Sequence, residues 1–253
     1  MPRLAVPAAE IHYEVSGSGP ALIFAHGLGG NHISWWQQVP FFEKQWTCIT
    51  FAHRGFAPST GIADPSRYAD DLGTLVAHLD LAEVRLVAQS MGGWTCLEYA
   101  LREPGRVKAL VMAETTGSLR RPSIDVERAQ IRVGELFARG IHPAAGERMA
   151  IEQPALHYLY RLIDRLNEPL DKQAIHKHLV AAMTTPSEHV ADLPTPILWL
   201  FGAESYLAPE AAAWLSATLP GARIVRVPEA GHSIYFERPL VFNQVVADFL
   251  GTP

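Results

Sequence analysis

Val84-Arg85-Leu86-Val87-Ala88-Gln89-Ser90-Met91-Gly92-Gly93 decides the fold. The first four residues form a short apolar run that reads as a buried strand. From Met91 to Arg102, Trp94, Leu97 and Leu101 recur at helical spacing. A serine between small residues at a strand-to-helix turn is the pattern of a nucleophile elbow. The turn is too sharp for bulky neighbours, and it lifts the hydroxyl clear of the sheet in a strained backbone conformation. Ala88 stands where glycine is commoner, the smallest departure available.

The chain alternates strand and helix on both sides of this stretch. Upstream, Ile11, Tyr13 and Val15 alternate with polar residues and read as an edge strand. Ala21 to Ala25 is a buried strand running into His26-Gly27-Leu28-Gly29-Gly30. Trp35 to Lys44 reads as a short helix broken near Pro40, Trp46 to Ala52 as a strand, and Arg67 to Leu79 as a helix. Downstream, Val107 to Ala113 is a strand ending at Glu114. From Ser118 to Val190 the pattern is helical only. The alternation then resumes with strand Ile197 to Phe201, helix Glu210 to Thr218, strand Ala222 to Val227 and a helix from Pro239 to Leu250. Such alternation predicts an α/β fold, a mostly parallel sheet covered on both faces. Residues 1–117 and 191–253 form its core, and residues 118–190 an all-helical cap over the carboxyl ends of the strands, where ligands bind in such sheets.

With 253 residues, 48% of them hydrophobic, the chain suits one domain with a sizeable core. The net charge of −5 and the lack of a basic stretch argue against nucleic acid. No apolar run is long enough to cross a membrane, and the start lacks the apolar run of a signal peptide. The two cysteines, Cys48 and Cys96, read as small buried hydrophobes, which points to a reducing, cytoplasmic setting.

Three loops fall at one edge of such a sheet, those after the Ala21, Val84 and Ala222 strands. The last holds Gly231-His232-Ser233. A serine alcohol needs a neighbouring imidazole to take its proton, and His232 is placed to do so. The backbone N–H groups of Leu28, in the glycine loop, and of Met91, at a helix start, are the candidate donors to a developing oxyanion.

These stretches together resemble the α/β-hydrolase fold, of the small esterase and lactonase kind with a helical cap. The resemblance rests on His26-Gly27, His53-Arg54-Gly55, Ser90-Met91-Gly92-Gly93, Pro194-Thr195-Pro196 and Gly231-His232, in that order, and spans nearly the whole chain. It implies a sheet of about eight strands, Ser90 as nucleophile, His232 as base, and Leu28 and Met91 as oxyanion donors.

The chain departs from that pattern at three positions. Ala52 and Ala57 replace a usual aspartate and glycine around the His53 turn, with local consequences only. Ser205 occupies the usual position of the catalytic acid. Glu114, at the end of the neighbouring strand, is the first candidate for the missing acid, as in certain dehalogenases and the fungal zearalenone lactonases. Glu204 is the second, and a site without an acid is the third.

The remaining polar residues carry less. His142, His157, His176, His178 and His189 lie in the cap, and no pair has the i, i+4 spacing of a zinc helix, so no metal is expected. Trp35, Trp36, Tyr158 and Tyr160 read as core or cap packing, and Asp70 and Asp71 as a solvated face. No dinucleotide or phosphate loop is present, so no cofactor is expected. The expected chemistry is hydrolysis of a small hydrophobic ester or lactone. Carbon–carbon bond hydrolysis, acyl transfer, perhydrolysis, a ligand receptor and an inactive relative remain open on the same residues.

Overall fold

The computed structural model describes residues 2–168 and 170–252. Eight strands form one sheet: β1 (Arg3–Val6), β2 (Ala9–Ser16), β3 (Ala21–Ala25), β4 (Thr47–Phe51), β5 (Val84–Gln89), β6 (Val107–Ala113), β7 (Ile197–Gly202) and β8 (Arg223–Val227), in the order β1-β2-β4-β3-β5-β6-β7-β8. The strands from β4 to β8 in that order run parallel, while β1 and β2 are antiparallel to their neighbours. The Ile11 strand is therefore not the edge. Its other side pairs with β1, whose four residues are too short a pattern to read.

Each central strand sends alternate residues to opposite faces. On one face Ile23, Leu86, Ala88, Leu110, Met112, Trp199 and Phe201 pack under α2 (Tyr68–His78), α3 (Gly92–Arg102) and α9 (Ala208–Thr218). On the other, Leu22, Phe24, Val87, Val111, Leu198 and Leu200 meet Trp35, Phe42 of α1 (Val39–Phe42), and Phe242 and Val246 of α11 (Pro239–Leu250). This double cover explains why the strands read as continuous apolar runs.

The expected Trp35–Lys44 helix is instead a 3₁₀ turn, His32–Trp35, followed by α1, which starts around Pro40 because proline needs no N–H partner in a first turn. Between β6 and β7 run α4 (Ser123–Ala138), α5 (Gly146–Glu152), α6 (Pro154–Arg165), α7 (Lys172–Ala181) and α8 (Ser187–Ala191). A short α10 (Ile234–Glu237) follows the His232 loop and escaped the sequence reading.

Two side-chain readings are corrected. Asp71 is not solvated but 3% exposed, and it holds Arg54 through Nε at 2.6 Å. The buried pair ties the turn after β4 to α2, while Asp70 stays outside and pairs with Arg102. Trp35 and Tyr160 are buried, but Trp36 and Tyr158 face solvent rather than packing into core or cap.

Candidate active site

The site is assembled from five strand ends, those of β3, β5, β6, β7 and β8. Ser90 has φ +48°, the left-handed backbone expected of a tight strand-to-helix turn. Two glycines make room for it. A Cβ on Gly92 would strike the Ala25 carbonyl, so α3 can start against the end of β3 only with glycine there. A Cβ on Gly27 would overlap the Gln89 side chain and lie 3.1 Å from Ser90 Cβ, which sets the Leu28 loop directly against the serine. That loop is closed by Gly30 N–H donating to Gly27 O at 3.0 Å. Among the hydrogen bonds of the described residues, neither the Leu28 nor the Met91 N–H donates.

His232, 2% exposed, brings Nε2 to 3.0 Å from Ser90 Oγ. Its loop is held from two sides. Gln89 Nε2 donates to the His232 carbonyl at 3.1 Å, and Gly231 N–H donates to Glu237 Oε2 at 2.7 Å. Glu237 is buried, and that burial raises its carboxyl above the usual range.

The two carboxylates part company. Glu114, 1% exposed, lies at the end of β6 with φ +55° and places Oε2 3.3 Å from His232 Nδ1. Ser205 Oγ donates to that same oxygen at 2.6 Å and stands 3.4 Å from Nδ1, while Gly202 N–H donates to Glu114 Oε1. Ser205, at the position where the resemblance expects an acid, thus serves as a hydrogen-bond donor to the Glu114 carboxylate. Glu204 points away. Its side chain is 40% exposed and accepts from Arg148 Nε at 3.0 Å. Arg148 holds its carboxyl below the usual range.

One neighbour was not foreseen. Tyr206 stacks its ring on His232, with centroids 4.4 Å apart, and sets its hydroxyl 3.0 Å from Nε2, the nitrogen that also faces Ser90. Only its place beside Ser205 could have drawn attention to it. A cleft of about 400 Å³ between α5 and the Glu204–Tyr206 loop reaches His232, Ser205 and Tyr206, and Ser90 is not among its lining residues.

His26 and His53 stand behind the site rather than in it. His53 N–H donates to His26 Nε2 at 3.0 Å, and the His26 ring reaches the Gly27 carbonyl at 2.8 Å through Nδ1. Burial pushes His26 down to about 3 and His53 well below the usual imidazole range, so both are neutral pins of the glycine loop. Between β6 and β7, His142 lies 3.4 Å from Asp164, and Tyr160 reaches Gly29.

The arrangement of strands and helices is shared with known proteins. The alpha/beta hydrolase fold family is matched over residues 20–141. Solved structures superpose over nearly the whole chain. The N-acyl homoserine lactone degrading enzyme Est816 gives a TM-score of 0.81 at 22% identity, covering 98% of this chain and 100% of its own. The protein has the α/β-hydrolase fold. The enol-lactonase from Burkholderia xenovorans LB400 superposes with a TM-score of 0.77 at 24% identity, covering 98% and 99% of the two chains. In sequence, this α/β-hydrolase-fold protein is 26% identical to the mouse sn-1-specific diacylglycerol lipase ABHD11 over 249 residues, 91% of this chain and 81% of the relative. Among the described residues no helix is long and apolar enough to cross a membrane.

Proposed function

We propose that the protein is a cofactor-free serine hydrolase that cleaves a carboxylic ester or lactone through an acyl-enzyme on Ser90. The carrying observation is the contact of Ser90 Oγ with His232 Nε2 at 3.0 Å, on a left-handed elbow and with buried Glu114 at the opposite ring nitrogen. In this scheme His232 takes the Ser90 proton as Oγ attacks the carbonyl carbon. The tetrahedral oxyanion lies between the Leu28 and Met91 N–H groups, which have no other acceptor among the described residues. Glu114 fixes the imidazole with Nδ1 protonated and stabilises the imidazolium, while Ser205 and Gly202 hold the carboxylate in place. His232 then protonates the leaving alkoxide, and in the second half it activates water against the acyl-enzyme. For a lactone the leaving alcohol stays tethered to the acyl group.

Residues 118–190 act as a lid in this reading. Ile175 and Leu179 of α7 pack in one apolar cluster with Met91 and Leu28, so the cap rests on the residues assigned to the oxyanion site. A small hydrophobic substrate fits such a lid, and lactones join esters because Est816 and the enol-lactonase act on them. Free, buried Cys48 and Cys96 suit a cytoplasmic setting. Hydrolysis of p-nitrophenyl acetate and of a lactone panel tests the proposal. Turnover lost in Ser90→Ala supports it, and turnover retained in that variant rejects it.

A slow-turnover binding role is the second reading, favoured by the Tyr206 hydroxyl on the base and by a cleft that stops short of Ser90. A deacylation rate far below acylation would support it.

A further inference from the structure

A second cluster of reactive side chains lies three strands from the serine, on the polar face of β2. His12 and Glu14 are two residues apart on this strand and so share a face. The 3₁₀ turn that follows the glycine loop places His32 over them, its ring centroid 4.4 Å from that of His12. His12 Nε2 is 3.6 Å and His32 Nε2 4.0 Å from Glu14 Oε1. One ligand atom from each residue lies within 4.8 Å of the other two.

The hydrogen bonding of His12 is what calls for a cation. Its Nδ1 stands 3.0 Å from the Pro2 carbonyl, an acceptor only, so Nδ1 carries the proton and donates. Nε2 is then a bare lone pair. The His12 side chain is fully buried, and Nε2 has no hydrogen-bond partner among the described residues although a carboxylate oxygen faces it. A lone pair aimed at an anion is repulsive unless something positive lies between them. A proton on Nε2 would serve His12 and Glu14 but leave His32 Nδ1 without a partner among the described residues. A metal ion would serve His12, His32 and Glu14 together.

We infer that His12, Glu14 and His32 form a binding site for a divalent transition metal of the zinc class. Two imidazoles and a carboxylate are the donor set for such ions. Tetrahedral zinc places neighbouring ligand atoms about 3.4 Å apart, so the pairs at 3.6 Å, 4.0 Å and within 4.8 Å close once the half-exposed Glu14 and the His32 ring move inward. The Nδ1–H of His12 on a backbone carbonyl is the outer contact that orients metal-bound histidines. His32 Nδ1 is also without a partner among the described residues, so its ring can present either nitrogen. Glu14 is half exposed, which gives the ion a path in and leaves the fourth position to water. The metal would clamp β2 to the segment that follows the Leu28 loop. The ligands are split between a strand and a distant turn, which hides them from a search for helical zinc spacings.

The test uses the full chain stripped with chelator, titrated with Zn²⁺ by calorimetry and with Co²⁺ by visible absorption. The expected result is one equivalent of bound metal, ligand-field bands of a nitrogen–oxygen site, and a higher melting temperature with Zn²⁺. Glu14→Gln and His32→Asn should each weaken binding by at least about tenfold. Because Glu14 is half exposed, Glu14→Gln folds as the parent and decides the matter alone if His32→Asn does not fold. No stoichiometric binding, or binding equally tight in Glu14→Gln, overturns the assignment.

Discussion

Replacing Glu114 by Gln changes one oxygen of the side chain to an NH₂ group and removes the charge. Its two oxygens face three donors: Gly202 N–H on Oε1, and Ser205 O–H and His232 Nδ1–H on Oε2. A glutamine cannot satisfy all of them. With its oxygen toward Gly202, the NH₂ group meets His232 Nδ1 and favours the tautomer protonated on Nε2, which cannot accept the Ser90 proton. With its oxygen toward His232, the NH₂ group meets the Gly202 N–H, and two donors face each other in a fully buried site. Either choice removes the counter-ion of the imidazolium. Placing the wrong orienting group in a serine triad costs about 10⁴ in kcat, and each factor of ten is about 1.4 kcal/mol of transition-state stabilisation. Glu114→Gln is therefore expected to lower kcat for p-nitrophenyl acetate by about 10³–10⁴-fold with little change in KM. Glu204→Gln breaks only the Arg148 ion pair at the surface and is expected to stay within about threefold, since exposed pairs contribute little. A loss smaller than about tenfold in Glu114→Gln, or a larger loss in Glu204→Gln, refutes the assignment of the acid.

Three further outcomes follow from the same geometry. Tyr206→Phe keeps the ring stacked on His232 but removes a hydroxyl that competes with Ser90 for Nε2; losing one net hydrogen bond of about 0.5–1.5 kcal/mol should raise kcat/KM about 2- to 10-fold, whereas a fall would mean that the phenol assists the reaction. His26 and His53, held neutral by burial, bind fewer protons folded than unfolded from their depressed values up to 6.5. Stability is therefore full above that pH and lost as pH falls through it, by about 1.4 kcal/mol per unit for each histidine. Urea unfolding at about pH 7 and about pH 5.5 should show that slope, and equal stability at both would contradict it. Asp71→Ala strands the buried Arg54 guanidinium and should cost about 3–5 kcal/mol of unfolding free energy with the chemistry of bound substrate unchanged, whereas a loss under about 1 kcal/mol would mean that the pair is not buried in solution.

The fold was legible because burial on both faces forces the central strands to be short apolar runs between helical periods. The serine and histidine were legible because a sharp elbow and a glycine-bounded loop tolerate few residues. What escaped has physical reasons. β1 has four residues, below the length at which alternation registers. Asp71 sits one residue from a solvated aspartate, and only the fold reveals that the Arg54 turn closes over it. The acid was ambiguous because Glu114 and Glu204 are both near strand ends. The ambiguity narrows with the donors, since Gly202 N–H and Ser205 O–H converge on Glu114 while Arg148 draws Glu204 outward. Tyr206 and the His12–Glu14–His32 cluster depend on contacts between distant segments, which no local pattern encodes.

The central claim is that Ser90 forms a covalent acyl-enzyme with His232 as its base. Peptide mapping by mass spectrometry after treatment with a fluorophosphonate tests it most directly. One adduct is expected, on the Ser90 hydroxyl, formed far more slowly in His232→Ala and absent in Ser90→Ala. An adduct elsewhere, or none on a folded chain, would contradict it.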